Sequence, residues 1–522
     1  MSRSSKPRAL SRAEQRRERE AKGRLRGAAW RKAMLAEERG TIFGEAPTRV
    51  GLCYPNPYRV AMSSLGYQVI YRMFNEHPTL CAERIVLDDE AANGGRLREP
   101  PRSLEQGRLL SDFDLLAFSV SFDLDIMGIF AMLEAAGIPA LRSERGPSDP
   151  PILLGGPVTA SNTLPFGPFI DLAVIGDGER AVEALMELLA QDLDRASLLA
   201  AAATIDGVWV PELHGDAVPA TQKVSAGVLP AYGQIVTPNA ELSNMFLVEA
   251  SRGCPRFCKF CLVRAPESPM RESELERVME RIPDHATRVG FVGAAVSEWT
   301  GIRDALRAVV ESGRGVGVSS LRADRLDDEF VGLLARGGYR TMTVAADAPS
   351  QRLRNKMAKA IRTRHLVEAA HLARAAGMNR LKLYVIIGIP GETDEDIDEL
   401  IELSKELAAI LPLALGLSPL VPKLHTPLGD APFAGIATIQ RTLTRLRKAL
   451  GGVADVRSAS GRWAWIEYRM SQGGQDAGLA AREAWEHGGR FTHFKSAFQS
   501  VEERGALRLA NEHALFRAAG MR

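Results

Sequence analysis

Long apolar segments and cysteine are both scarce in this sequence of 522 residues. It contains no run of about 18 or more apolar residues, the length that a transmembrane helix needs. Its basic N-terminus lacks the apolar stretch of a secretory signal, so we expect a cytoplasmic protein without a transmembrane span. Five cysteines in the whole chain are too few to form a disulfide scaffold.

Charge of either sign is nearly balanced, with 66 Lys and Arg residues against 64 Asp and Glu residues. The first forty residues depart from this balance, because they hold 13 basic and 5 acidic side chains. We interpret residues 1–47 as a basic extension exposed to solvent; the alternative is an arm that binds nucleic acid or an anionic surface. The rest of the chain is mildly acidic, which argues against a nucleic-acid substrate.

Strand-like and helix-like segments alternate between residues 48 and 230. The predicted strands are 49–54, 115–121, 151–154 and 172–175, and the predicted helices are 63–75, 126–136 and 181–190. This alternation indicates a parallel α/β sheet, in which ligands bind beyond the carboxyl ends of the strands. Two glycine-rich segments, GGP at 155–157 and GDGE at 176–179, follow predicted strands at that edge.

A second alternation occupies residues 240–430. Six predicted strands lie at 246–250, 288–292, 315–319, 341–345, 381–387 and 414–417, with helices such as 304–311, 364–376 and 394–410 between them. Six such units predict a partial (β/α)6 barrel of the TIM type, with its active site at the carboxyl ends of the strands. Residues 431–522 are predicted to form a mainly helical C-terminal segment.

Three of the five cysteines lie in the segment SRGCPRFCKFCLVRAP, directly after the first predicted barrel strand. Their spacing is Cys254-x3-Cys258-x2-Cys261, which lets each thiolate of one short loop bind one iron of a cubane cluster. A structural zinc site would need a fourth ligand nearby, and no histidine occurs between His214 and His285. The pattern therefore favours a 4Fe–4S cluster with one iron open to another ligand.

This cysteine spacing, after the first strand of a six-unit barrel, resembles the radical S-adenosylmethionine (SAM) superfamily. The resemblance implies a cluster whose open iron binds the methionine amino and carboxylate groups of SAM. It also implies reductive cleavage of SAM to a 5′-deoxyadenosyl radical, with an electron donor such as flavodoxin or ferredoxin. Phe260, before the last cysteine, takes the position of the family's aromatic residue near the adenine.

Later segments follow the order of the family's cofactor contacts. Gly293 and Ala294 begin the segment GAAVSE, where the family binds the methionine amine, here through backbone carbonyls. By the same resemblance Arg322 binds the methionine carboxylate; the alternative is a salt bridge in solvent. Asp347 is assigned to the ribose hydroxyls, or alternatively to a helix N-cap. Gly388, in YVIIGIPGETDED, would permit close approach of the backbone to the adenine.

The segment SPLVPKLHTPLG at 418–429 resembles a subgroup of radical SAM enzymes that carry an N-terminal cobalamin-binding-like domain. By this resemblance Lys423 and His425 point toward the substrate side of the barrel mouth, which makes them the candidate catalytic residues. For His425 the alternative is a structural role, which is the more common one for a single histidine.

The segments YPNPYRVAMSSLGYQVIYRMFN, FSVSFD, LLGGP and VIGDGE resemble the Rossmann-like (flavodoxin-type) cobalamin-binding domain of that subgroup. Gly155, Gly156, Gly176 and Gly178 would then line the loops around the corrin and its nucleotide tail. The Asp-x-His-x-x-Gly motif that supplies a cobalt ligand in other cobalamin proteins is missing, although members of the subgroup can hold the corrin without it. The alternative is a degenerate domain that acts as a lid over the substrate.

These features predict a radical SAM enzyme that methylates an unactivated carbon of a small-molecule or lipid-like substrate with the help of cobalamin. One alternative is a radical rearrangement, cyclisation or coupling without methyl transfer, in which the N-terminal domain does not bind cobalamin. A second is a zinc-binding nucleic-acid protein that uses the basic arm. Iron and sulfide content separates this second alternative from the two enzymes, and corrin absorbance separates the two enzymes from each other.

We expect the protein purified without oxygen to contain about four iron and four sulfide per chain. Replacing Cys254, Cys258 and Cys261 together by alanine should abolish the broad visible absorbance of the cluster, because no thiolate ligand remains. Metal and sulfide analysis, combined with absorbance spectroscopy, measures both effects. A single zinc ion without sulfide would contradict the predicted cluster.

Overall fold

The structure is a computed structural model of the chain and describes residues 27–89, 95–97, 99–319 and 321–503. Residues 1–26 of the basic N-terminal extension and residues 504–522 of the C-terminal segment lie outside these described residues. For residues 27–47 the expectation of an extension exposed to solvent is wrong, since Met34 is buried and the Glu38 carboxylate is enclosed against Arg84. Among the described helices, none combines the length and the apolar composition that crossing a membrane requires. The described residues form two α/β units and a group of C-terminal helices.

The N-terminal unit is built on one sheet of six strands. They are β1 (Thr48–Pro57), β2 (Leu80–Leu87), β3 (Leu115–Ser119), β4 (Ile152–Gly155), β5 (Leu172–Val174) and β6 (Val208–Trp209). The helices are α1 (Ala28–Ala36), α2 (Tyr58–Ala61), α3 (Leu65–Glu76), α4 (Ile126–Ala136), α5 (Glu179–Leu189), α6 (Arg195–Ala202) and α7 (Pro211–His214).

The strand order of this sheet is β2-β1-β3-β4-β5-β6. The first five strands are parallel, and β6 pairs antiparallel with β5. The order of the parallel strands is that of flavodoxin-like doubly wound sheets, whose ligands bind beyond the carboxyl ends of β1 and β3. The parallel α/β sheet predicted from the sequence is therefore present.

Strand β2 was not predicted from the sequence. Its segment LCAERIVL places Glu83 and Arg84 in the middle of an otherwise apolar run, although all eight residues are buried. The guanidinium of Arg84 is fully enclosed and pairs with Glu38 at 2.7 Å and with Glu105 at 2.6 Å. These two carboxylates come from segments distant in the sequence. Only the folded chain therefore brings together the charges that allow Arg84 to be buried in a strand.

The second unit contains strands β7 (Tyr232–Gly233), β8 (Phe246–Glu249), β9 (Ser251–Arg252), β10 (Arg271–Glu272), β11 (Arg288–Val292), β12 (Gly315–Val318), β13 (Thr341–Ala345), β14 (Arg380–Ile387), β15 (Leu413–Pro419) and β16 (Ala454–Ser458). Its helices are α8 (Leu275–Glu280), α9 (Ile302–Glu311), α10 (Asp328–Arg336), α11 (Gln351–Lys356), α12 (Thr363–Ala375), α13 (Asp394–Ile410) and α14 (Ile436–Ala449).

All six strands predicted for this unit are present, but they are hydrogen-bonded in two sheets, ordered β12-β11-β8-β7 and β13-β14-β15-β16. In the described residues β12 and β13 do not pair, and the parallel strand β16 extends the second sheet. Strand β12 contains Gly315 and Gly317, and glycine gives a strand no side chain to pack against a neighbour. One apolar core still joins the sheets, through residues such as Val316 and Val344. The parallel α/β fold is thus observed, with the sheet interrupted at this point.

The C-terminal segment is helical apart from β16, as expected, but its last helices return to the N-terminal unit. These are α15 (Gly461–Gln472), α16 (Gln475–Glu486) and α17 (Phe491–Glu503). Met470, Trp485 and Phe498 from these helices share one apolar cluster with Phe130 and Phe169 of the N-terminal unit. The first and last parts of the described chain therefore build a common core.

A half-buried carboxyl lies in the turn between β14 and α13. Thr393 is the residue before the helix, which begins at Asp394, and this agrees with the helix start predicted from the sequence. The carboxyl of Glu392 accepts hydrogen bonds from the N–H groups of Gly388 at 2.9 Å and Ile389 at 3.4 Å. Burial nevertheless raises the pKa of Glu392 to about 7.

Replacing Phe498 by alanine should lower the free energy of unfolding by about 3–5 kcal/mol, because its ring is fully enclosed in the core shared with the N-terminal unit. Leu479→Ala, on the neighbouring helix, is the matched control: this side chain is 41% exposed, and we expect a change below about 0.5 kcal/mol. Denaturant unfolding, combined with amide exchange in β1 to β4, measures both. A small loss for Phe498→Ala would contradict the shared core.

Glu392→Gln should make stability less dependent on pH between about 4.5 and 7. The folded state holds the Glu392 proton more tightly than the unfolded chain, whose carboxyl has a pKa of 4.5. Its stabilising contribution is therefore complete below the unfolded pKa and is lost as pH rises through the folded value. Thermal unfolding across this range measures the effect. The control Glu395→Gln should leave this loss in place, because the pKa of Glu395 is lowered and its contribution falls at acidic pH instead.

Candidate functional site

The cysteine loop, residues 254–265, lies at the carboxyl end of β8, the first parallel strand of the second unit. Gly253 enters it with φ of 83°, and a Cβ there would lie 2.2 Å from the carbonyl oxygen of Pro269, so only glycine fits. The N–H of Cys254 donates to the carbonyl oxygen of Ser268 at 3.0 Å, and the N–H of Lys259 donates to that of Met357 at 3.0 Å. Backbone hydrogen bonds thus hold the loop at both its start and its centre.

The three thiols of this loop are close enough to affect each other. Burial raises the pKa of Cys258 and Cys261, and the charges of the neighbouring cysteines add to this rise. Within the described ranges, no three or more His, Cys, Asp or Glu side chains lie close enough together to bind a single metal ion. A cubane cluster does not need such an arrangement, since each thiolate binds a different iron. Three soft thiolates on one anchored loop fit an iron–sulfur cluster.

Glu298, which ends the segment GAAVSE, binds three guanidinium groups beside the cysteine loop. Arg256, from the loop itself, approaches it to 2.5 Å, Arg325 to 2.9 Å and Arg322 to 3.1 Å. Arg322 also pairs with Asp324 at 3.0 Å and is only 8% exposed. The alternative assignment of Arg322 to a salt bridge is therefore observed, but the salt bridges are buried and not in solvent. Three arginines against two carboxylates leave an excess positive charge here, which suits an anionic cluster or ligand.

The segment of Glu298 was predicted to lie at the site, but the role of Glu298 was not. The acid was visible at the end of GAAVSE, and a cationic partner was visible at Arg256 inside the cysteine motif. Their pairing links two loops that follow different strands, β8 and β11. Those strands are parallel neighbours, so their carboxyl ends lie at one edge. The signal available in the sequence was that a base follows one of these predicted strands and an acid follows the next.

Gly293 and Ala294 lie directly after β11. A Cβ on Gly293 would be 2.6 Å from the carbonyl oxygen of Ser251, so the close contact with this backbone requires glycine. The carbonyl oxygen of Gly293 already accepts a hydrogen bond from the hydroxyl of Ser319 at 2.7 Å. Ala294 is exposed, whereas Gly293 is half-buried. Contact with a methionine amine remains a prediction for both.

Asp347 lies after β13 with φ of 56° and pairs with Lys359 at 2.5 Å. The following helix, α11, is capped by Ser350, whose hydroxyl accepts from the N–H of Leu353 at 3.1 Å. The alternative role of Asp347 as the helix cap is therefore wrong. The charges of Lys359 and Asp347 both act on the thiol of Cys258, which places this ion pair next to the cysteine loop.

A small apolar cluster lies against the cysteine loop. Ala348, Leu353, Met357, Ile389 and Leu420 form it, and Phe260, Ile386 and Leu428 pack on it. The neighbouring Gly388 has φ of 75°, and a Cβ there would meet the Ile439 side chain at 2.6 Å. The need for glycine is thus explained by packing on α14. Contacts of Phe260 and Gly388 with an adenine remain predictions.

Lys423 and His425 occupy a turn after β15. The ammonium of Lys423 lies 2.5 Å from Asp123, in the loop after β3, and 2.8 Å from Glu467 on α15. His425 is exposed and has φ of 63°. Lys423 is therefore part of a contact between the two units. Asp123 ends the segment FSVSFD, but its pair with Lys423 and that of Glu467 were not predicted, because both join segments distant in the sequence.

The four glycines of the N-terminal unit differ in their surroundings. Around Gly155 nothing lies within 4 Å of a Cβ position, and around Gly178 the nearest atoms are at ordinary contact distance. Gly156 has φ of 100°, and a Cβ there would be 2.5 Å from the carbonyl oxygen of Val120. Gly176 has φ of 90°, and a Cβ there would be 2.5 Å from the carbonyl oxygen of Gln222. Of the four, Gly155 is the one that faces open space.

The loop of Gly176 and Gly178 attaches the N-terminal unit to the second unit. Its Asp177 binds Arg271 at 2.7 Å, and Glu179 binds Arg252 at 2.8 Å. Both arginines belong to the hairpin of β9 and β10, next to the cysteine loop. Because Asp177 follows β5 and Arg252 follows β8, the carboxyl edges of the two parallel sheets face each other across this contact.

Curated relatives match much of the chain at low identity. An uncharacterized protein of Methanocaldococcus jannaschii is 27% identical over 385 residues, which is 72% of this chain and 78% of the relative. An uncharacterized methyltransferase of Pyrococcus horikoshii is 25% identical over 310 residues, or 56% of this chain and 67% of the relative. A tRNA-2-methylthio-N(6)-dimethylallyladenosine synthase of Zymomonas mobilis is 25% identical over 290 residues, or 49% of this chain and 62% of the relative.

Among solved structures, the chain is similar to the cobalamin-dependent S-adenosylmethionine radical enzyme OxsB, determined with aqua-cobalamin and S-adenosylmethionine bound. The TM-score is 0.47 and the sequence identity is 14%. The alignment covers 78% of this chain and 56% of OxsB, so the chain spans about half the length of that protein.

Two family models match successive parts of the chain. The model for the N-terminal part of radical SAM proteins matches residues 66–211, and the model for the radical SAM superfamily matches residues 248–404. Together they cover more than half of the chain, and the second contains the cysteine loop. This removes the alternative of a zinc-binding nucleic-acid protein. With three thiols on an anchored loop after the first parallel strand and both models matched in order, the chain belongs to the radical SAM superfamily of enzymes.

Proposed function

We propose that this enzyme cleaves SAM reductively and methylates an unactivated carbon with the help of cobalamin bound at the N-terminal unit. A single observation carries the proposal: the carboxyl edge that bears the cysteine loop faces the carboxyl edge of the N-terminal sheet. Parallel sheets bind ligands at these edges. Ligands held by the two units would therefore share one space between them.

Cys254, Cys258 and Cys261 would hold the 4Fe–4S cluster on the second unit. When bound and reduced by a donor such as flavodoxin or ferredoxin, the cluster supplies the electron that cleaves SAM. The chain contributes the position and the charge around it. Hydrogen bonds to Ser268 and Met357 hold the loop, and the arginines around Glu298 offset negative charge.

Residues beside the cysteine loop would bind SAM. Asp347 is proposed to accept hydrogen bonds from the ribose hydroxyls, because a carboxylate can accept several hydrogen bonds in addition to its pair with Lys359. Arg322 is proposed to bind the methionine carboxylate, since a guanidinium has five N–H donors and the described contacts use Nε and Nη2. Ala294 would offer its backbone to the amine, and Phe260 its ring to the adenine.

Cobalamin would rest on the carboxyl edge of the N-terminal sheet, where it supplies a methyl group to the substrate. The open space around Gly155 supports this position. His77 precedes β2 and therefore lies at the opposite, amino edge, and His214 ends α7. Neither histidine follows a parallel strand of this sheet, which agrees with a corrin held without a histidine ligand from the missing motif.

The second candidate is a radical rearrangement, cyclisation or coupling in which the N-terminal unit acts as a lid. It is favoured by Gly156 and Gly176, whose missing side chains make room for the protein's own backbone. Two of the four glycines assigned to the corrin therefore have a structural reason to be glycine. Gly155 distinguishes the two candidates.

The test is anaerobic incubation of the reconstituted enzyme with SAM, a reductant and hydroxocobalamin. We expect 5′-deoxyadenosine and methionine from SAM, and a change in the hydroxocobalamin spectrum on titration. Gly155→Leu should weaken cobalamin binding at least roughly tenfold, because its side chain would enter the open space without striking the protein. It should leave the iron and sulfide content unchanged.

Gly146→Leu is the matched control. Gly146 lies in the loop before β4, at the opposite edge of the same sheet, and a Cβ there meets only Asp149 at 3.8 Å. We expect it to bind cobalamin like the unaltered enzyme. An unchanged hydroxocobalamin spectrum with the unaltered enzyme, together with cleavage of SAM, would establish the lid and the second candidate. Absence of SAM cleavage with a full cluster would contradict both.

A further inference from the structure

The lysine turn, residues 422–429, contacts three parts of the chain. The carbonyl oxygen of Pro422 accepts hydrogen bonds from the hydroxyl of Ser471 at 3.0 Å and the amide of Gln472 at 2.9 Å. Both residues lie at the end of α15, the first of the helices that pack on the N-terminal unit. The start of the turn is therefore attached to the C-terminal helices by two hydrogen bonds.

Lys423 adds a charged contact with two further segments. Its ammonium lies 2.5 Å from the carboxylate of Asp123 and 2.8 Å from that of Glu467. The side chain of Lys423 is 19% exposed and that of Asp123 only 3%, so the pair is poorly screened by water. Desolvation opposes the charge of Lys423, but the two carboxylates outweigh it and raise the pKa of the ammonium. Lys423 thus remains charged and is held in one place.

The Asp123 carboxylate is costly to bury. One of its oxygens binds Lys423, whereas Oδ1 is enclosed and has no hydrogen-bond partner among the described residues. An unsatisfied buried acceptor lowers the stability of the fold, and a charged group lowers it further. A buried pair with this defect is a poor source of stability, since apolar residues of similar size would often serve as well. Its geometry therefore indicates a role other than stability.

The other end of the lysine turn contacts the cysteine loop. The N–H of Leu428 donates to the carbonyl oxygen of Lys259 at 3.2 Å, and the Leu428 side chain packs on the same apolar cluster as Phe260. Lys259 and Phe260 are the two residues between the second and third cysteines. Movement of the lysine turn would therefore displace the segment between two cluster ligands.

Internal contacts make the lysine turn compact. The hydroxyl of Thr426 donates to the carbonyl oxygen of Lys423 at 2.8 Å, and the N–H of Gly429 donates to that of Thr426 at 2.9 Å. His425 adopts φ of 63°, a conformation that L-residues rarely take. A Cβ on Gly429 would lie 3.0 Å from both carbonyl oxygens, so the two ends of the turn are in contact. Displacement at Lys423 is thus transmitted to Leu428.

We propose that Lys423 is a positioning residue that sets the place of the cysteine loop relative to the N-terminal unit. It acts through the lysine turn: Asp123 and Glu467 hold its ammonium, and Leu428 holds Lys259 and Phe260. The role rests on the proposed function in one respect, that both facing edges serve one reaction. The contact is made by residues of the chain alone, so it can be tested separately.

The test is hydrogen exchange of the full chain with Lys423→Met, measured by mass spectrometry before and after cluster reconstitution. Methionine keeps the length of the side chain and removes its charge. We expect the amides of Lys259, Cys261, Leu428 and Gly429 to exchange roughly tenfold faster, while β1 and β14 keep their exchange rates. After reconstitution, the electron paramagnetic resonance signal of the reduced cluster should broaden, because the loop adopts several positions.

In Lys423→Arg, the exchange rates of these amides should stay within about twofold of those in the unaltered chain, because arginine keeps the charge and can reach both carboxylates. Lys405→Met is the matched control: this lysine pairs with Glu402 on the exposed face of α13, and its loss should change neither exchange nor the signal. If Lys423→Met does not fold, Asp123→Asn provides the same comparison, since it weakens the contact and keeps the pair with Glu467.

Selective exchange in the cysteine loop would support the proposal even if the enzyme did not bind cobalamin. Unchanged exchange at Lys259 and Cys261 in Lys423→Met would overturn it. A uniform rise across β1, β14 and the loop would also overturn it, since that is the result expected of a purely stabilising pair. Failure of the proposed function would instead appear in the cobalamin titration, which these exchange measurements do not use.

Discussion

Ion pairs across the contact between the two α/β units determine which edges of the sheets face each other. Asp177 and Glu179, directly after β5, bind the arginines of the hairpin that follows β8. Lys423, after β15, binds the loop after β3. All these residues lie just beyond the carboxyl ends of parallel strands, where such sheets bind ligands. Because charge pairs are directional, they orient the two edges toward one interface, which burial of apolar surface alone would not do.

Apolar burial supplies the complementary part of this arrangement. After the second unit, the chain returns through α15 to α17, and Trp485 and Phe498 enter the core of the N-terminal unit. In the sequence, the second unit thus lies between the strands of the N-terminal sheet and the helices that complete the core of the N-terminal unit. The lysine turn is attached to this returning segment, since the carbonyl oxygen of Pro422 accepts hydrogen bonds from the end of α15. The same connection that closes the N-terminal core therefore also positions the residues beside the cysteine loop.

Much of the fold could be predicted because it is encoded over short stretches. Apolar runs bounded by turns correctly indicated β11, β13 and β14 to within one residue, and the acidic start of α13 correctly indicated that helix. Prediction failed where a segment depends on distant partners. Strand β2 carries Arg84 in its centre, and only Glu38 and Glu105 make its burial possible. The pairing of Glu298 with Arg256 was missed for the same reason, since it joins loops after different strands.

The sequence by itself determined the spacing of Cys254, Cys258 and Cys261 after a parallel strand, and with it the superfamily and the two α/β units. The tertiary structure alone decided that Gly155 faces open space while Gly156 contacts backbone, that the last helices complete the N-terminal core, and that Lys423 joins three segments. The physical reason is the distance along the sequence over which each property is determined. Motif spacing and periodicity depend on neighbours along the chain, whereas open space, burial and ion pairing depend on which distant segments the packing of sheets and helices brings into contact.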